Sequence, residues 1–175
     1  MAGPVFAVRD LDVRFRTGAG EIAAVKAVSF TIEKGETLAI VGESGSGKSQ
    51  TMLATLGLLA SNGSVTGSAK LEGVELVGAT QRELDCVRGA RVAMVFQEPM
   101  TSLDPLYTIG AQMTTAIRRH RPLGRAQARA EALFMLERVR IPEAASRLDS
   151  YPHELSGGQR QRVMIAMALA NRPAL

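Results

Sequence analysis

Apolar residues fall on alternate positions twice near the start of the chain. Leu11, Val13 and Phe15 alternate with Asp12, Arg14 and Arg16, and beyond a loop from Arg16 to Glu21, Val28, Phe30 and Ile32 alternate with Ser29 and Thr31. A period of two turns one face to a core and the other to water, so both runs predict half-buried β-strands. After the Lys34-Gly35-Glu36 turn, Thr37-Leu38-Ala39-Ile40-Val41 is continuously apolar, the pattern of a strand covered on both faces. Helix formers dominate Lys48 to Leu59, and Ser61 to Gly78 returns to short β-like pieces broken by glycines. Thr80 and Glu83 have capping-box spacing for a short helix, ahead of another buried-looking run from Val92 to Phe96.

Past residue 98 the period becomes helical. Ile109, Met113, Ala116 and Ile117 share one face, and Ala126, Ala130, Leu133 and Phe134 another, with Pro122-Leu123-Gly124 separating the two helices. Ser156 opens a last helix that is apolar all round after Arg162, which predicts burial against a sheet.

Composition narrows the class without naming a function. With 175 residues, 46% hydrophobic and 22% charged, the chain fits one globular domain and excludes a disordered tail, a collagen or a disulfide scaffold. Cys86 has no second cysteine to pair with, which fits a reducing compartment or a small buried side chain. The first ten residues lack a basic stretch before a long apolar run, so no secretory signal is expected. The longest apolar stretches, Met52 to Ala60 and Val163 to Ala170, are shorter than the ~20 residues a membrane span needs. Asn62-Gly63-Ser64 reads as a turn of small residues. The net charge of +4 sits in the second half: residues 88–175 hold 13 basic and 7 acidic side chains against 8 and 10 in residues 1–87. Nucleic acid, an acidic membrane, phosphates and a solvated face all suit that excess.

Two short runs carry chemistry. Gly42-Glu43-Ser44-Gly45-Ser46-Gly47-Lys48-Ser49 has the spacing of a phosphate-binding loop, between an expected strand and an expected helix. Glycines let backbone N–H groups approach phosphate closely, and the helix dipole adds positive potential. Lys48 would meet the β- and γ-phosphates, and the Ser49 hydroxyl would help hold Mg²⁺. Gln50 follows with a backbone donor. The second run is Leu155-Ser156-Gly157-Gly158-Gln159. Ser156 and Gln159 have capping-box spacing, which needs no ligand; bare glycine N–H groups, with Arg160 and Arg162 in opening turns that disfavour positive charge, suit an anion. Both readings stand on spacing alone.

Together these runs resemble the ATP-binding subunits of ABC (ATP-binding cassette) transporters over nearly the whole chain. Phe96-Gln97-Glu98-Pro99-Met100-Thr101-Ser102-Leu103-Asp104-Pro105 and Tyr151-Pro152-His153-Glu154-Leu155-Ser156-Gly157-Gly158-Gln159-Arg160-Gln161-Arg162 look like the oligopeptide, dipeptide, glutathione and nickel importer ATPases. The resemblance implies an α/β phosphate-loop ATPase core with an antiparallel β subdomain and a helical subdomain, here truncated: a nucleotide-binding core over 1–97, helical residues 98–155, and 156–175 returning to an incomplete core. It implies ATP and Mg²⁺, with Gly42 to Gln50 on the nucleotide, Phe15 stacked on adenine, Val25 a lesser contact, and Ser49 and Gln97 toward the metal. It implies a head-to-tail pair in which Leu155, Ser156, Gly157, Gly158 and Gln159 face ATP held by a second ATPase domain. Transmembrane permease subunits and, indirectly, a periplasmic or extracellular solute-binding protein are the further partners, at the cytoplasmic face of the membrane.

The family's Mg²⁺ aspartate, the glutamate that polarises water and a later histidine have no counterpart here, so no catalytic residue is assigned. The chain reads as an amino-terminal fragment expected to bind nucleotide weakly without hydrolysing it. A nucleic-acid-handling ATPase is the competing class; such proteins often place zinc-binding cysteines or long coiled coils between the two runs, and this interval has one cysteine and no sustained heptads, so no nucleic acid is expected. Arg118, Arg119, Arg121, Arg125 and Arg129 form a basic helical face that suits either solvent or a docked partner. His120 and His153 lack ligand-like spacing.

Overall fold

The computed structural model of the chain describes residues 3–96 and 102–175. Strand β1 (Phe6–Thr17) pairs antiparallel with β2 (Gly20–Ile32) on one edge and with β3 (Gly63–Leu71) on the other, and β4 (Val74–Glu75) follows β3, giving the order β2-β1-β3-β4. Both early strands run longer than their alternation marks. Phe6 and Val8 are buried at even positions and Leu11 and Val13 at odd ones, because the register shifts between Val8 and Leu11 and Asp10 takes a φ of 44°. Gly67 faces this bulge; a Cβ there would lie 2.4 Å from the Asp10 carbonyl oxygen. In β2 the same device sits at Ala27, φ 47°, whose N–H donates to the Asp12 carboxylate at 3.3 Å. The expected Arg16–Glu21 loop is instead a tight hairpin in which Thr17 pairs with Gly20 and Arg16 with Glu21.

Helix α1 (Lys48–Thr55) buries Thr51, Ala54 and Thr55. The run before it departs from expectation. Thr37–Val41 joins no strand ladder among the described residues, and Val41 is 92% exposed. A continuous apolar run specifies a strand only when neighbours pair its edges and layers cover its faces. Val92–Phe96 behaves alike: the described residues give it a single bridge, Arg88 to Val92, and Val95 and Phe96 are exposed. Its start is held by the last residues of the chain, with Ala174 N–H donating to Arg91 O at 2.7 Å and Ala93 N–H to Leu175 O at 2.9 Å.

The described chain divides into two compact units, Met1–Asp85 and Cys86–Leu175. Helix α2 (Gln81–Val87) starts with the expected reciprocal cap, Thr80 N–H donating to Glu83 at 2.7 Å and Glu83 N–H to the Thr80 hydroxyl at 3.4 Å. The second unit is helical: α3 (Ile109–His120), α4 (Arg125–Arg138), α5 (Ala144–Arg147) and α6 (Gly157–Leu169), the last preceded by a 3₁₀ turn, Pro152–Glu154. Ile109, Met113 and Ile117 build its core as expected. In α4 the buried stripe is Ala128, Ala132, Met135 and Leu136, while Ala126, Ala130 and Phe134 face out. Two alanine-containing stripes compete on this helix, and the one carrying Met135 and Leu136 offers more apolar surface to bury. Helix α6 buries Val163, Met164 and Ala166 among helices of its own unit, with Ile165 and Leu169 exposed, where a sheet had been expected.

Candidate nucleotide-binding site

The glycine-rich loop enters α1 through two residues that only glycine adopts easily, Gly45 at φ 83° and Gly47 at φ 87°. Gly47 is fixed twice over. A Cβ on it would lie 2.5 Å from the Ala24 carbonyl oxygen and 3.2 Å from Val25 Cγ2, so the loop presses on β2. Thr51 N–H is bonded to Gly47 O at 2.8 Å and its hydroxyl to the same oxygen at 3.0 Å, which starts the helix ladder. The N–H groups of Lys48, Ser49 and Gln50 precede that bond and have no intrahelical acceptor, as in any first turn. They aim with the helix dipole toward the loop, an arrangement that suits phosphate oxygens.

The Lys48 ammonium sits inside the loop. Its Nζ donates to Gly42 O and Glu43 O, each at 2.7 Å, and to the Ser46 hydroxyl at 3.1 Å. A Cβ on Gly42 would lie 2.7 Å from that hydroxyl. The Ser49 side chain is exposed and has no hydrogen-bond partner among the described residues, which leaves its oxygen able to face a hard cation. The fit to a triphosphate with its metal is thus one of donors and a cation around a small loop.

Val25 is buried against Gly47, so it supports the loop from beneath. Phe15 is half-buried on β1, opposite Gly63, where an added Cβ would come within 2.9 Å of its ring. Gln97 lies outside the described residues.

In the second unit, the reciprocal cap at Ser156 is made in full. Gln159 N–H donates to the Ser156 hydroxyl at 3.3 Å and Ser156 N–H to Gln159 Oε1 at 2.9 Å. The arginines taken as a sign of a bound anion have other work: Arg160 Nε donates to Pro152 O at 2.7 Å and Leu155 O at 3.0 Å, and Arg162 to Arg140 O at 3.0 Å. With carbonyl acceptors in place, the charge of the two guanidiniums does not call for an anion. Gly157 and Gly158 leave room for one. Neither has a positive φ, and a Cβ on either meets nothing within 4 Å, so the chain itself does not require glycine there. Leu155 is buried and anchors the run.

Sequence spacing did not reveal what fixes the approach to this run. The first N–H groups of α3 bond carbonyls just upstream of it, Ile109 to Ser150 at 2.9 Å and Gly110 to Leu148 at 2.7 Å, and a Cβ on Gly110 would lie 2.7 Å from Leu148 O. The basic helical face is also partly consumed internally: Arg129 pairs with Asp149 at 2.8 Å, Arg121 with Glu131 at 3.0 Å, and Arg118 donates to Leu123 O at 3.3 Å. Among the described residues no cluster of His, Cys, Asp and Glu could hold a metal by itself, and no helix is long and apolar enough to cross a membrane.

Residues 25–175 match the family model described as ABC transporter. The chain is 52% identical over 172 residues to the oligopeptide transport ATP-binding protein OppD of Haemophilus influenzae, covering 98% of this chain and 53% of that protein. It is 51% identical over 181 residues to the glutathione import ATP-binding protein GsiA of Escherichia coli K12, covering 99% and 29%. It therefore spans about half the length of the OppD relatives and less of GsiA. Among solved structures, the dimeric bacterial ABC transporter cassette MJ0796 shares the fold with a TM-score of 0.83 at 30% identity, over 96% of this chain and 70% of that one. A post-hydrolysis state of the same cassette bound to ADP and Pi gives 0.84 at 29% identity over the same shares. A chain with this glycine-rich loop, this Leu155–Gln159 run and this match belongs to the ABC transporter family.

Proposed function

We propose that the chain is the nucleotide-binding portion of an ATPase subunit that energises import of peptides or related small solutes. One observation carries the nucleotide assignment: a cation held by three oxygens inside a loop whose glycines take left-handed backbone angles at the mouth of a helix. On binding, Lys48 would exchange loop oxygens for phosphate oxygens, keeping its charge paired throughout. First-turn N–H groups of α1 and the loop backbone orient the phosphates, while Val25 fixes the loop from below. Ser49 and Gln97 are the residues proposed to hold Mg²⁺, which when bound would neutralise charge across the β- and γ-phosphates. Phe15 is the proposed adenine platform.

Gly157 and Gly158 support the second half of the reading. Glycines that the chain does not need leave room for a group approaching from outside, and the proposed group is the γ-phosphate of ATP held by a second ATPase domain. Ser156 stays capped while its neighbours present bare N–H groups. Hydrolysis, docking on permease subunits at the inner membrane face and indirect service to a solute-binding protein are proposed for the complete subunit, whose water-activating carboxylate is not among the residues assigned here. Peptide-type cargo rests on the names of the relatives. The division into a core, a helical part over 98–155 and a returning helix is likewise proposed.

Titration calorimetry of Mg·ATP into the chain and into Lys48→Ala tests the assignment. Saturable binding lost in the variant is expected; equal heats for both, or none for either, would refute it for this chain.

A further inference from the structure

The far end of α6 is tied down more elaborately than the end of a helix needs. Its last turn closes at Ala170, and the next residues, Asn171 and Arg172, turn sharply, Arg172 with a φ of 54°. Three side-chain links reach this turn. Arg121 Nη1, at the end of α3, donates to Ala170 O at 3.2 Å and pairs with Glu131 Oε1 at 3.0 Å. Arg172 Nη2 approaches the same carboxylate oxygen at 3.4 Å. Asn171 Nδ2 donates to Gly89 O at 2.9 Å and Ala116 O at 3.3 Å. Glu131 thus stands on α4 between two guanidinium groups, with its side chain only 17% exposed.

We infer that Glu131 is a positioning residue: it holds Arg121 on the carbonyl end of α6 and so sets the helix whose other end presents Ser156, Gly157 and Gly158. Arg121 alone would be a mobile cation near a helix end, an interaction that weakens with salt and with each freed rotamer. Pinned by a half-buried carboxylate, the guanidinium has one geometry and serves two acceptors at once. Arg172 closes the bracket from the outside; with its side chain 74% exposed, it is the weaker arm. Arg160 and Arg162 hold the continuous helix α6 near its start and the clasp holds its other end, so with the clasp freed the helix axis can tilt about the remaining brace and re-aim the N–H groups of the glycine end. The functional half of this inference rests on the proposed role of Gly157 and Gly158 toward a partner's ATP.

Two measurements on the chain separate the parts. Amide hydrogen exchange reads the clasp itself through Ala170 N–H and Arg172 N–H, which bond to Met167 O and Leu169 O. Glu131→Gln is expected to speed their exchange at least fivefold, Glu131→Asp to fall between, and Glu137→Gln, an exposed carboxylate on the same helix, to change nothing. Unchanged exchange in Glu131→Gln would overturn the clasp. Sedimentation in Mg·ATP reads its consequence. Glu131→Gln is expected to weaken ATP-driven association at least fivefold while ATP affinity at the loop stays the same. Faster exchange with unaltered association would overturn the positioning role, and equal loss of ATP affinity would show a general structural defect instead. A wild-type chain that does not associate with ATP refutes the reading of Gly157 and Gly158, and the exchange data then decide the clasp alone.

Discussion

The two glycine-rich helix openings look alike in sequence and differ in what demands their glycines. In the loop before α1, Gly45 and Gly47 hold positive φ angles, and an added Cβ on Gly47 would strike the Ala24 carbonyl at 2.5 Å. At the start of α6, Gly157 and Gly158 have ordinary backbone angles with open space around them. The first glycines are needed by the chain and the second are not. The caps divide the same way. Gly47 caps α1 with no side-chain bond, leaving first-turn donors for a ligand, whereas Ser156 and Gln159 satisfy each other. One helix opening is thus shaped by glycine-only backbone angles around a resident cation, and the other is bare.

The largest effect expected from breaking this contrast is Gly47→Ala. A Cβ placed against backbone in a left-handed conformation costs about 1–3 kcal/mol in strain before the clash is relieved, so the loop should shift and Mg·ATP binding by calorimetry should vanish. Next is Lys48→Ala, which removes the ammonium and its three loop bonds. It should weaken ATP at least tenfold, with a smaller change in thermal unfolding.

Ser156→Ala should cost about 1 kcal/mol through the lost cap, read as a lower unfolding midpoint in denaturant. Smaller still is a pH effect that the two units share. Glu131 lies below its ordinary value of 4.5 through its hydrogen bond from Arg121, which outweighs its partial burial, with help from the charges of Arg121 and Arg172. For Glu75, burial works upward, yet bonds from the Ser68 hydroxyl and the Ala69, Val77 and Leu76 N–H groups bring it lower. Both carboxylates bind protons more weakly folded than unfolded. Their contribution is complete above the ordinary carboxylate value and is lost as pH falls through the lowered one. Denaturant midpoints should thus decline below about pH 4.5, and Glu131→Gln should remove part of that decline.

The sequence carried some of this and not the rest for identifiable reasons. The turn into α1 was legible because the positions of Gly45 and Gly47 in the run mark the left-handed backbone angles it takes. The alternation in β1 and β2 was legible only in part, since bulges at Asp10 and Ala27 switch its parity and hide the first half of each strand. Thr37–Val41 and Val92–Phe96 have strand composition, but a ladder needs partners that composition does not supply. On α4, periodicity gave a helix and the wrong face, because alanines mark two stripes equally well. The charge of Arg160 and Arg162 suits an anion in the sequence, while the structure gives them carbonyl acceptors that spacing does not mark. Glu131 carries no motif at all; its role depends on Arg121 and Arg172, ten and 41 positions away.

Gly157→Ala tests the contrast most directly, by sedimentation velocity with and without Mg·ATP beside the unchanged chain. The variant should fold as stably as the original and bind ATP at its own loop, yet fail to associate when ATP is added. Association equal to that of the unchanged chain would mean that nothing outside the chain needs the room those glycines leave, and would contradict the account.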